Sequence, residues 1–132
     1  MSKTIRTCVV YIVESDESVS QGLSRLVSSA GLETRPCDSI DALLRETPEA
    51  PPACVLFDVS SLRRCEAALW SRLRAMAMAM PFIALSARDD PEARRMARAL
   101  GAQAFFRKPV DAAALLDSID WVTQADVHIT RS

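Results

Sequence analysis

Glycine is scarce in this chain: Gly22, Gly31 and Gly101 are the only three in 132 residues. They are too far apart to build a glycine-rich loop, so a nucleotide cradle of backbone amides is excluded. Histidine occurs once, as His128, in a polar stretch near the end, where it reads as solvated. No nucleophile–base pair can be built on it in the core. The four cysteines, Cys8, Cys37, Cys54 and Cys65, form no CxxC pair and have no histidine beside them, which argues against zinc. Cys8 and Cys54 lie in apolar runs and read as small core residues of a reduced, cytoplasmic protein. No apolar run approaches the roughly 20 residues of a membrane span. A formal net charge of −1 offers no general attraction to nucleic acid or anionic lipid. The early apolar run ends in acid rather than in a small-residue cleavage site, so it reads as a strand and not as a signal peptide.

What is present is ordinary globular material, 49% hydrophobic and 25% charged. That suffices for one domain spanning residues 1–132, with a core of about 7–122 and a polar tail over 123–132. Apolar runs and helical stripes alternate. CVVYIV (Cys8–Val13), ACVLFDV (Ala53–Val59) and PFIALSA (Pro81–Ala87) are near-continuous runs, the pattern of strands covered on both faces. LETRPC (Leu32–Cys37) is a weaker strand, placed at a sheet edge by Pro36. AFFRKP (Ala104–Pro109) is the last strand. Five helices alternate with them, the fifth after the last strand. The first carries Val19, Leu23, Leu26, Val27 and Ala30 and stops at Gly31. A short one is capped by Asp38 or Ser39 and runs through Leu44. A third is striped by Leu62, Cys65, Leu69, Leu73 and Met76. The fourth is opened by Asp89, Asp90 and Pro91 and closed by Gly101. The fifth is striped by Leu115, Leu116, Ile119 and Val122. EAPPA (Glu49–Ala53) is a loop, and AMAMAM (Ala75–Met80) reads as a helix end filled with adaptable apolar residues. Five strands alternating with five helices predict an α/β fold, a doubly wound parallel sheet with helices on both faces.

In such sheets the reactive crevice lies beyond the carboxyl ends of the strands. Strand one ends in Glu14-Ser15-Asp16, strand three in Asp58, strand four in Ser86, and strand five in Lys108-Pro109. Acid, nucleophilic carboxylate, hydroxyl and ammonium on one rim suit phosphoryl transfer. The carboxylate attacks phosphorus, a divalent cation neutralises charge, and hydroxyl and lysine hold phosphoryl oxygens.

YIVES, VLFD, IALSA and FFRKP, in this order and spacing, resemble a response-regulator receiver domain over about Thr7 to Val122. The resemblance implies the flavodoxin-like fold of the chemotaxis response regulator, with strand order 2-1-3-4-5. It implies that Asp58 accepts phosphate from a histidine kinase's phosphohistidine or from a phosphotransfer protein. Lys108 would bind a phosphoryl oxygen, with a cis bond to Pro109. Ser86 would be the switch hydroxyl and Phe105 the switch aromatic. Mg2+ would be held by Glu14, Asp58 and the backbone carbonyl of Ser60. The sequence departs from the family at Ser15, where a second metal-binding carboxylate is usual, so weak Mg2+ binding is expected. DVSSLRR also lacks the usual small turn after the acceptor. The side chains of Ser60 and Arg88 would flank the phosphoryl group.

Plainer readings stand beside these. Asp58 could serve as a helix cap, Ser86 as the cap of the next helix, and Glu14, Asp16 and Glu17 as first-turn charges, the preferred reading for Asp16 and Glu17. Arg94, Arg95 and Arg98 form a basic face on the fourth helix, near Arg107, Asp117 and Asp120. The helix 4–strand 5–helix 5 face would dock a downstream effector or a second copy, with Trp121 as an anchor or a half-buried ring. No membrane contact and no direct nucleic-acid binding are expected, and no enzyme activity beyond phosphoryl acceptance. The alternative is a pseudo-receiver that binds partners without phosphorylation because of Ser15. A small α/β enzyme is disfavoured by the missing glycine loop and core histidine.

Overall fold

A computed structural model describes residues 8–46, 53–63 and 65–131, with side chains as far as residue 123. The chain alternates β1 (Val9–Val13), α1 (Glu17–Ser29), β2 (Glu33–Cys37), α2 (Ile40–Arg45) and β3 (Ala53–Asp58). A short 3₁₀ turn (Val59–Leu62) follows, then α3 (Ala67–Ala79), β4 (Phe82–Ser86), α4 (Pro91–Leu100), β5 (Ala104–Arg107) and α5 (Ala112–Arg131). The five strands form one parallel sheet in the order β2-β1-β3-β4-β5. The expected doubly wound architecture is therefore the one observed, with β2 and its Pro36 at an edge.

The near-continuous apolar strands bury both faces, as their composition requires. Tyr11, Val13, Val55, Phe57 and Phe82 face a core completed by Leu43 of α2, Leu73 of α3 and Leu100 of α4. Val10, Ile12, Leu56, Ile83 and Leu85 face the other side, against Leu23 and Val27 of α1 and Leu115, Ile119 and Val122 of α5. Cys8 and Cys54 belong to this second core, as expected of small apolar residues. A third, smaller cluster of Val59, Ala84, Ala93 and Ala97 sits under α4, beside Phe105.

Helix ends follow local chemistry. Asp16, Ser39 and Asp90 cap α1, α2 and α4 by accepting backbone N–H bonds from Val19, Ala42 and Ala93. Pro91 occupies the first turn of α4, and Gly101 ends it in the left-handed region at φ 98°.

Two expectations need correction. The stripe from Leu62 does not begin a helix. Leu62 lies in the 3₁₀ turn, Cys65 precedes α3, and α3 starts at Ala67. The chance spacing of two apolar residues in a connecting loop imitated a helical period. AMAMAM does form the end of α3, with Met80 buried and Met78 90% exposed. Residues from Thr123 on, expected as a polar tail, continue α5 to Arg131, since no glycine or proline interrupts them. The loop expected at Glu49–Ala53 falls almost wholly outside the described residues, as does the side chain of His128.

Candidate functional site

Parallel register assembles the rim. Val13 aligns with Phe57, so the next residues along, Glu14 and Asp58, stand side by side. Asp58 aligns with Leu85, one residue before Ser86. Ser86 aligns with Arg107, one residue before Lys108. Glu14, Asp58, Ser86 and Lys108, spread over 94 positions of sequence, thus meet at the carboxyl end of the sheet.

Glu14, Asp58 and Ser86 are the buried polar residues among those described, at 4%, 3% and 6% exposure. Buried carboxylates need compensation, and Lys108 supplies it. Its Nζ lies 2.8 Å from Glu14 Oε1 and 3.4 Å from Asp58 Oδ1. Burial works against the ammonium, but the hydrogen bond to Glu14 and the charge of Asp58 outweigh it and raise the Lys108 pKa above its ordinary value. The second Glu14 oxygen accepts the Asp16 amide at 3.2 Å. The Lys108 amide donates to the Ser86 carbonyl at 2.8 Å, which locks β5 to β4 at the rim, and the Lys108–Pro109 bond is cis.

Asp58 also holds the turn that follows it. Its Oδ1 accepts the Ser60 amide at 3.4 Å, and its Oδ2 accepts the Ser60 hydroxyl at 2.6 Å. The helix-cap reading of Asp58 is therefore satisfied alongside its place in the pocket. Ser60 is exposed, and its carbonyl accepts the Arg63 amide at 3.2 Å. Ser86 does not cap α4, because Asp90 does. Its hydroxyl instead accepts the Arg88 amide at 3.0 Å. The Arg88 guanidinium is engaged by Asp90 at 3.1 Å and Glu92 at 3.7 Å. Ser15 is exposed, and Asp16 is committed to capping α1.

Phe105 is half-buried on β5, aligned with Ala84 of β4 on the face that carries Ser86. The guanidinium carbon of Arg94 lies 4.7 Å from the centre of its ring. Sequence reasoning had Arg94 only as part of a basic face. Its stacking depends on where α4 settles over β5, a long-range matter with no local signal. The Ser60 hydroxyl bond to Asp58 was likewise missed, although a serine two residues beyond a strand-end carboxylate is a usable hint of it.

Chemically, the pocket offers a carboxylate nucleophile beside an ammonium and a hydroxyl, with one net negative charge among Glu14, Asp58 and Lys108. Among the described residues, no group of three or more His, Cys, Asp or Glu side chains could hold a metal ion.

Comparison with known proteins agrees with this geometry. Residues 10–120 match the sequence model of the response regulator receiver domain. The response regulator protein TmoT of Ectopseudomonas mendocina is 31% identical over 111 residues, which is 84% of this chain and 50% of that protein. The transcriptional regulatory protein TdiR of Thauera aromatica is 29% identical over 119 residues, 90% of this chain and 52% of that protein. The chain thus spans about half the length of the curated relatives it matches. Among solved structures, the response regulator StyR superposes with a TM-score of 0.76 at 28% identity, over 96% of this chain and 64% of that one. The chemotaxis protein CheY4 of Vibrio cholerae shares the fold, with a TM-score of 0.71 at 21% identity, over 89% of this chain and 99% of that one. Four strand-end motifs, a 2-1-3-4-5 sheet and these matches together place the chain in the response regulator receiver domain family.

Proposed function

We propose that the chain works as a phosphorylation-controlled switch with Asp58 as the acceptor. The observation that carries this reading is the buried Asp58 carboxylate at the sheet rim, 3.4 Å from the Lys108 ammonium. An Asp58 oxygen attacks the phosphorus of a phosphohistidine on a histidine kinase or phosphotransfer protein. The O–P bond forms, the N–P bond breaks, and the histidine leaves. Lys108 binds a phosphoryl oxygen. The Ser86 hydroxyl, which now only accepts, has its own proton free to donate to another. Movement of Ser86 toward the phosphoryl group, and of Phe105 behind it, carries the change to α4 and β5.

The donor set fits a divalent cation weakly. Glu14 and Asp58 supply two carboxylates, but Lys108 already offsets one charge, and the exposed Ser15 adds none. The Ser60 carbonyl, bonded to the Arg63 amide, keeps one lone pair. Glu14, Asp58 and that carbonyl would hold Mg2+, which supplies positive charge to the phosphoryl oxygens when bound.

Output is protein–protein contact through the α4–β5–α5 face. It offers Arg95, Arg98 and Arg107 against Asp117 and Asp120, with Trp121 exposed at 72%. A downstream effector or a second copy of the chain docks there. Residues 1–132 act as one receiver unit in the cytoplasm. No helix among the described residues is long and apolar enough to cross a membrane.

Incubation with acetyl phosphate and Mg2+, followed by intact mass measurement, tests the reading. One phosphoryl group is expected on the parent and none on Asp58→Ala. An unmodified parent under every donor and metal condition overturns it.

A further inference from the structure

Arg94 makes two contacts that no local pattern requires. Its Nη2 lies 3.0 Å from Asp89 Oδ2, and its Nε bonds the other oxygen of that carboxylate. The paired contacts fix the guanidinium plane. The guanidinium carbon lies over the Phe105 ring, 4.7 Å from its centre. One side chain of α4 therefore joins two elements of the rim. Asp89 stands three residues after Ser86, in the loop whose Arg88 amide holds the Ser86 hydroxyl. Phe105 stands three residues before Lys108, on β5.

Phe105 borders a cluster of Val59, Ala84, Ala93 and Ala97, with Met96 and Ala102 also packed against it, and Val59 directly follows Asp58. The alanines offer the ring few atoms at contact distance. Arg88 is taken by Asp90 and Glu92; the charge of Arg107 also acts on Asp89, whose hydrogen-bonded partner is Arg94.

We propose that Arg94, clamped to Asp89, is the positioning residue that holds Phe105 in its half-exposed place and thereby keeps the β4–α4 loop, with Ser86, in the conformation that belongs to unmodified Asp58. The proposal rests on the reading of Asp58 as a phosphoryl acceptor and adds what sets the resting side of that switch. Loss of the clamp releases the ring and the loop together, and Asp58 is then modified faster.

The 132-residue chain labelled with 4-fluorophenylalanine tests this. Its four phenylalanines give four fluorine resonances, and Phe105→Leu identifies the one of interest. In Arg94→Ala without phosphodonor, the Phe105 resonance is expected to move toward its position in the beryllofluoride-loaded parent. The rate of Asp58 modification by acetyl phosphate is expected to rise about threefold, the scale of one exposed cation–π contact and one exposed ion pair lost together. Asp89→Asn should reproduce both effects, and Arg94→Lys, which keeps the charge without the fork, should fall between. A Phe105 resonance unmoved in Arg94→Ala overturns the proposal. So does a moved resonance with an unchanged rate, since Arg94 would then hold the ring without bearing on the site. A parent that takes up neither phosphoryl group nor beryllofluoride sinks the acceptor reading and this one with it. That outcome differs from failure of the clamp alone, in which the parent is modified normally and Arg94→Ala matches it.

Discussion

Lys108 stands between two buried carboxylates, and its charge is the counterweight that lets both be buried. Removing it leaves Glu14 and Asp58 facing each other uncompensated. A fully buried pair broken in this way costs about 3–5 kcal/mol. Lys108 keeps 18% of its side-chain surface, so Lys108→Met is expected to cost about 2 kcal/mol in urea unfolding near neutral pH. The pH dependence has a definite sign. The folded state raises the Lys108 pKa above 10.5, so it holds the proton more tightly than the unfolded chain does. The stability this contributes is complete below that value and is lost as pH rises through the folded pKa. The gap between parent and Lys108→Met should narrow as pH rises above about 10.5; a gap that stays unchanged through the alkaline range contradicts the assignment. Ser15 sets the other residue-scale quantity. Ser15→Asp adds one carboxylate beside Glu14 and should tighten Mg2+ about tenfold by calorimetric titration, the size of one charge-assisted contact. Equal affinities in the two proteins would show that position 15 does not reach the cation.

At the scale of elements, α4 has both ends written in its sequence. Asp90 accepts the Ala93 amide, Pro91 begins the first turn, and Gly101 closes it at positive φ. A Cβ at position 101 would meet only Ala77 Cβ, at an ordinary 3.8 Å. The cost of Gly101→Ala is therefore backbone strain alone, about 1–2 kcal/mol by thermal or urea unfolding. A larger loss would mean that packing against α3 is also disturbed. The last helix, α5, is held by the opposite means, side-chain burial. Leu115 and Ile119 are at most 1% exposed against the α1 side of the sheet. Leu115→Ala should cost about 2–5 kcal/mol, with Asp58 chemistry retained in the molecules that remain folded.

Among the described residues the sheet ends in two edge strands, β2 beside α1 and β5. On β2, the Glu33 amide donates to the Cys8 carbonyl and the Cys37 carbonyl accepts the Glu14 amide. Parallel alternation then turns the backbone of Thr34 and Pro36 outward. Pro36 removes a donor from that outward edge and so discourages pairing with another strand. Pro36→Val should raise concentration-dependent association in sedimentation, and an unchanged monomer would show the edge protected by other means. Trp121, exposed at 72%, contributes little to the fold. Trp121→Ala should leave stability within about 0.5 kcal/mol while weakening whatever docks on the α4–β5–α5 face.

By itself the sequence determined the strands, the parallel alternation and the four strand-end residues, because each rests on local periodicity; it left the cap of α2 between Asp38 and Ser39 and read Asp16, the cap of α1, as a first-turn charge. CVVYIV, ACVLFDV and PFIALSA can satisfy their composition only between two layers of helix. It misplaced the start of α3, because Leu62 and Cys65 fall at helical spacing within a 3₁₀ turn and loop, and the end of α5, because polarity there was read as a stop. Tertiary structure alone decided which oxygen Lys108 binds most closely and that Arg94 lies on Phe105. Those contacts join side chains from separate elements, and their distances depend on how helices settle on the sheet. Such settling is fixed by the packing of the whole core, and no stretch of the chain encodes it alone.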